Sequence, residues 1–107
     1  MIAAVVLTLL AAQTPQQFFD RKVAPILTRR CLPCHNNELD NAGLSFQKPA
    51  TVQRVLVPGE PDQSRLIETL KHEGQVQMPP GIPLPKKEIE VLRQWVKQGA
   101  VFGTPLR

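Results

Sequence analysis

The sequence predicts an all-α domain of short helices separated by rigid turns, on three observations. There are 11 prolines among 107 residues, and each fixes its own φ and removes a backbone donor, which disfavours both a long bundle and a regular sheet. Apolar residues recur at helical spacing in separate stretches: Phe19, Val23, Ile26 and Leu27; Leu66, Ile67 and Leu70; Ile89, Leu92, Trp95 and Val96. Helix start and stop signals flank each stretch. A chain of this length makes one domain with a limited core, to which a large apolar cofactor would add substantially.

Met1 to Ala12 is an uncharged apolar run, after which the composition turns polar at Gln13-Thr14-Pro15-Gln16-Gln17. That is the pattern of a secretory h-region and cleavage site, and it predicts residues 1–12 to be a signal peptide ahead of a domain spanning 13–107. The usual basic n-region is missing, since the first Lys or Arg is Arg21. The alternative is an uncleaved apolar tether, because about twelve residues are too few to cross a bilayer as a helix. Either way the expected location is periplasmic or otherwise exported.

Thr14 followed by Pro15 predicts an N-cap with proline at the first helical position. Pro25 falls inside the stripe that follows, so a kink or two short helical pieces are expected, the second ending at Cys31. Phe18 and Phe19 are expected to pack in the core against the C-terminal helix. Asn36 to Gly43 is polar turn chemistry, and Thr51 to Val57 suits either a short strand or a short helix. Pro58-Gly59-Glu60-Pro61-Asp62 opens a helix predicted at about 62–71, stopping before Gly74. His72 at its end is expected to be a surface residue interacting with the helix C-terminus. The last helix begins with Pro85 in its first position and Lys86-Lys87-Glu88 in its first turn; Gly99 follows its end. On it Glu90 and Arg93 form an i, i+3 pair of small value, and Trp95 is expected in the core. Gly99 to Gly103 should fold back as a short tail.

The chemistry concentrates at Cys31-Leu32-Pro33-Cys34-His35. A Cys-x-x-Cys-His pentapeptide is the pattern of covalent haem c attachment, with Cys31 and Cys34 as thioethers and His35 placed as proximal ligand to the iron. Other readings of the same letters are a thiol redox pair, half of a zinc site and a structural disulfide. A redox pair would be expected beside a βαβ pattern, and none is evident. Zinc takes four ligands in a structural site, and the chain offers only Cys31, Cys34, His35 and the distant His72. A bridge closing so small a loop restricts the unfolded chain very little. Haem attachment is the favoured reading, with Leu44 and Phe46 as candidate walls of the cofactor in a loop draped over it.

Met78 stands in Gln77-Met78-Pro79-Pro80-Gly81. If the chain is cleaved after Ala12, it is the only methionine left. A core methionine would more naturally sit on a helix stripe, whereas a proline-stiffened loop holds a thioether at a fixed distance. Met78 is therefore the candidate distal ligand, with His72 or an open sixth position as alternatives. Thirteen Lys+Arg against nine Asp+Glu give a formal +4, which favours acidic partners. The basic residues are scattered in ones and twos without interleaved aromatics, which argues against nucleic acid. No nucleophile with a base, carboxylate pair or phosphate loop suggests catalysis by side chains.

Phe18-x4-Val23-x-Pro25-Ile26-Leu27, Cys31-x-x-Cys34-His35, Gly43-Leu44, Pro58-Gly59-x-Pro61-x-x-Ser64-x-Leu66, Met78-Pro79-Pro80 and Leu92-x-x-Trp95-Val96-x-x-Gly99-Ala100 together resemble the planctomycete-type cytochrome c domain. That group belongs with the mono-haem class I cytochromes c. The chain departs from it in having a single Gly43 where the group often has a glycine pair, and few glycines from Lys48 to Gln53. The resemblance implies a cytochrome c fold, three to four short helices with loops enclosing one covalent haem c. It assigns Cys31 and Cys34 to the thioethers, His35 to the proximal position and Met78 to the distal one. The implied function is one-electron transfer, not enzymatic catalysis. Its partner would be a redox protein with an acidic docking surface, steered by Arg29 and Arg30. Alternatives of other classes are a haem c subunit docked on a larger oxidoreductase, and a haem-based gas or redox sensor with a labile Met78.

Overall fold

Thr14 begins the first helix because its hydroxyl accepts the Gln17 N–H at 3.1 Å while the Gln17 side chain accepts the Thr14 N–H at 3.1 Å, a reciprocal capping box. The computed structural model describes residues 13–107; the leader or tether expected at Met1 to Ala12 lies outside the described residues. From the cap, α1 (Pro15–Phe18), a π-helical turn (Phe19–Val23) and α2 (Ala24–Arg30) follow without a break. The interruption expected at Pro25 takes the form of that π turn. The Ala24 N–H reaches back to the Phe19 carbonyl, and the widened turn lets the chain enter α2 with Pro25 in its first turn, where a missing N–H is tolerated.

The region left open between strand and helix is helical: α3 (Pro49–Val52) runs into a 3₁₀ turn at Gln53–Val55. α4 (Arg65–Leu70) is shorter than the predicted 62–71. Pro61–Gln63 forms a separate 3₁₀ turn, and Ser64 between them is extended with φ −87° and ψ 121°. The reason is the Ser64 hydroxyl, which is buried, accepts the Val57 N–H at 2.8 Å and donates to the Glu60 carbonyl at 2.9 Å. A serine that satisfies loop backbone in this way competes with the helix. At its other end α4 stops before Gly74 as expected, its last residue being Leu70, and His72 just beyond takes a left-handed φ of 55°.

α5 (Lys86–Lys97) is the helix the apolar stripe predicts, with Pro85 as its cap residue rather than its first helical one. The predicted Glu90–Arg93 pair is replaced by a longer-range one, since the Arg93 guanidinium donates to Asp62 at 2.9 Å. Among the described residues the β pairing consists of an isolated bridge between His35 and Asp40, so the all-α expectation holds. No helix among them is long and apolar enough to cross a membrane.

α5 packs across the π turn, and there the core is aromatic. The Phe19 ring lies 5.8 Å from Trp95 and 5.4 Å from Phe102, and Trp95 meets Phe102 edge-on at 5.3 Å. The Trp95 indole N–H donates to the Val101 carbonyl at 2.9 Å, so this large side chain is buried with its polar atom satisfied. Phe18 packs at the margin of the same core. The tail folds back as predicted and is clamped by Asp20, whose carboxylate accepts the Thr104 N–H at 2.7 Å and the Thr104 hydroxyl at 3.1 Å. Gly103 sits so close to the π turn that a Cβ would overlap Asp20 and the Gln16 carbonyl. Trp95→Ala removes the centre of this cluster and is expected to destabilise the protein by about 3–5 kcal/mol, measured by urea unfolding.

Candidate functional site

The Cys31 to His35 motif is the turn that terminates α2. The Cys31 N–H closes the helix on the Leu27 carbonyl at 3.0 Å, and the Cys31 carbonyl in turn accepts from Cys34 at 3.2 Å and from His35 at 3.0 Å. Three chemically active side chains are thus gathered by hydrogen bonds converging on one residue. Both thiols are free; Cys31 is half-buried and Cys34 exposed. Burial pushes the Cys31 thiol up to about 12, so at neutral pH it is not the thiolate that thiol exchange or a zinc site requires. Among the described residues no three His, Cys, Asp or Glu side chains converge as a metal-holding group.

His35 is buried and held on both its backbone and its ring. Its carbonyl accepts the Phe46 N–H at 2.8 Å, the Phe46 ring stands edge-on to the imidazole at 6.0 Å, and Nδ1 lies 3.0 Å from the Asn41 carbonyl oxygen. A carbonyl can only accept, so Nδ1 carries a proton, and in the neutral imidazole Nε2 then carries the lone pair. Of the two proposed wall residues, Phe46 is buried beside the imidazole and Leu44 packs half-buried against the core.

The Asn41 carbonyl belongs to a tight 3₁₀ turn, Asn41–Gly43. Two successive residues there are left-handed, Ala42 at φ 59° and Gly43 at φ 72°. Gly43 adopts this conformation freely, whereas Ala42 brings its Cβ against the backbone. Ala42→Gly relieves that conflict at the expense of a more flexible unfolded chain, and a net stabilisation of roughly 0.5–1 kcal/mol is expected in denaturant titration.

Met78 lies on a different element, the loop leaving α4, and is half-buried. The loop is closed on the helix it leaves: the Met78 N–H donates to the Thr69 carbonyl at 3.0 Å, and His72 Nε2 donates to the Met78 carbonyl at 3.1 Å. Gln77 adds bonds to the His72 and Gly74 carbonyls at 3.2 Å each. His72 therefore does more than decorate the end of α4. It supplies the left-handed terminating residue and ties down the backbone of Met78. Val76 and Ile82, on either side of Met78, are exposed apolar residues.

Sequence reasoning missed Glu88, placed only as a first-turn residue of α5. Its carboxylate is buried and accepts from Arg30 through Nε at 3.1 Å and Nη2 at 3.0 Å; Arg29 approaches to 3.8 Å. Arg30, expected to steer a partner, is therefore engaged within the molecule, while Arg29 keeps the more open side chain. The sole signal in the sequence was an acid following two lysines at the start of an otherwise ordinary amphipathic helix. The Arg30 hydrogen bonds hold the Glu88 carboxyl below the usual carboxylate range against the opposing effect of burial. Its contribution to stability is then present above the unfolded glutamate value of about 4.3 and is lost as pH falls through the lowered folded value. Because Arg30 is partly exposed the effect is modest. Glu88→Gln is expected to lower the melting temperature at pH 7 by a few degrees and to flatten its decline below pH 5.

Residues 31–81 match the family model described as Planctomycete cytochrome C. The matched segment opens at the first cysteine of the motif and closes just past Met78-Pro79-Pro80. No curated protein and no solved structure matches the chain.

Proposed function

We propose, from the match of residues 31–81 to the Planctomycete cytochrome C family model, that the chain is an exported mono-haem one-electron carrier whose iron is ligated by His35 and Met78. A c-type cytochrome binds its haem covalently, and the free Cys31 and Cys34 thiols, one turn apart, suit the two thioether links. When bound, the haem supplies a one-electron ferric/ferrous couple.

The observation that carries the reading is the His35 tautomer. Donation from Nδ1 to the Asn41 carbonyl leaves Nε2 as the ligating atom, sets the plane of the ring and raises its basicity. The neutral Cys31 thiol weighs against exchange chemistry at the same motif. For Met78, support comes from its place in a proline-stiffened loop whose backbone is tied at both its N–H and its carbonyl. As ligands, His35 and Met78 would raise the potential and leave no place at the iron for substrate, which suits a carrier rather than a catalyst.

The partner is read as a redox protein with an acidic face. Arg29, Lys86 and Lys87 are exposed and are grouped where the end of α2 meets the start of α5, joined through Glu88. Within that grouping Arg29 lies close in sequence to the exposed Cys34, where a thioether edge would approach solvent. Charge of this kind acts mainly on the rate of encounter and weakens with salt.

The test is expression with a c-type haem maturation system, haem staining of a denaturing gel, and absorption spectra of both oxidation states. Covalent haem is expected, with a low-spin ferrous spectrum and a weak sulfur-to-ferric-iron band that disappears in Met78→Ala. Bound haem that lacks this band and readily takes carbon monoxide would overturn the Met78 assignment in favour of an open or labile site. No covalent haem would return Cys31 and Cys34 to thiol or metal chemistry.

A further inference from the structure

We propose that Arg54 is a positioning residue for His35, acting through the backbone turn Asn41–Gly43; the inference rests on His35 being the proximal haem ligand. The hydrogen bond that orients the imidazole is made to a backbone carbonyl, that of Asn41, so the ring is only as well placed as the turn carrying that carbonyl. The turn is weakly determined by its own sequence. It holds two left-handed residues in succession, one of them the alanine Ala42. Its internal ties are the Gly43 N–H to the Asp40 carbonyl at 2.7 Å and the Leu44 N–H to the Asn41 carbonyl at 3.2 Å. The Asn41 oxygen therefore serves both Leu44 and His35.

Arg54 reaches this turn from the 3₁₀ segment after α3. Its Nη2 donates to the Gly43 carbonyl, and its Nε donates to the Thr51 carbonyl at 3.3 Å. The guanidinium lies over Gly43, with Nη2 3.4 Å from where a Cβ would stand. A flat fork fits this place and a single ammonium does not reproduce it. The anchor is itself fixed: the Thr51 hydroxyl accepts the Ser45 N–H at 2.9 Å and lies 2.8 Å from the Ser45 carbonyl. Arg54 thus ties the acceptor turn to the segment that brackets it on the far side. The arginine is on the surface, so no core packing explains its two backbone contacts.

Two consequences have opposite signs, which makes the inference testable. If the turn relaxes, the His35 Nδ1–H bond weakens, the imidazole becomes less basic toward the iron and the ferric state loses support, so the reduction potential rises. Loss of a positive charge alone would favour the ferric state and lower the potential.

The experiment compares wild-type holoprotein with Arg54→Lys and Arg54→Ala by two readouts, the reduction potential and the hydrogen-exchange rate of the His35 Nδ1 proton in the diamagnetic ferrous state by NMR. Arg54→Lys keeps the charge and loses the fork. It is expected to raise the potential and to speed Nδ1–H exchange roughly tenfold, with Arg54→Ala speeding exchange at least as much. Unchanged exchange in both variants, with the potential lowered only in Arg54→Ala, would reduce Arg54 to a charge and overturn the proposal. A fall in melting temperature with neither readout moved would make it a loop brace and overturn it equally. If Arg54→Ala does not fold, Arg54→Lys alone decides. Wild-type protein without covalent haem would instead overturn the ligand reading on which the proposal stands.

Discussion

The structure depends on the contact between the first helical run and α5, made by the Phe19, Trp95 and Phe102 rings. In a chain this small the core is limited, and three aromatic side chains at one crossing supply a large share of the apolar surface removed from water. Since the Cys31 to His35 turn follows directly on that run, the packing of the run places the motif relative to the rest of the domain. The π turn belongs to this arrangement. It places Phe19 and Val23 in the core and delivers a proline-containing helix without a break.

Around the motif the chain relies on backbone carbonyls rather than side-chain partners. His35 is oriented by Asn41 through its carbonyl, and the Met78 loop is tied to the carbonyl of Thr69. Carbonyls held in tight turns are rigid acceptors of invariant chemistry, but they are only as fixed as the turns that present them. Among the described residues three non-glycine residues are left-handed, Ala42, His72 and Ala100, the first two in the turns that hold the proposed ligands. Conformational preference is sacrificed there for placement, as is common where geometry matters for function.

Electrostatics join the two ends of the fold. Glu88 at the start of α5 receives Arg30 from the end of α2, so a helix N-terminus with an acid meets a helix C-terminus with a base, each favourable to its own dipole. The pair reinforces the aromatic crossing from the side nearest the motif. It also neutralises one of the two arginines beside Cys31, so that the basic character of this face rests on Arg29, Lys86 and Lys87.

The sequence by itself determined the helical class, the start at Thr14, the C-terminal helix and the core role of Trp95. Each depends on local spacing or local capping, which is written along the chain. It also marked Cys31, Cys34 and His35, whose grouping is the geometry of a single turn. Only the tertiary structure decided that 49–55 is helical, that Ser64 breaks the middle helix and that Arg93 prefers Asp62 to Glu90. It alone revealed the partners of Glu88, His72, Asn41 and Arg54. Those outcomes turn on partners distant along the chain or on which backbone carbonyl a turn happens to present, and neither the spacing nor the identity of nearby residues encodes where such a partner comes to lie.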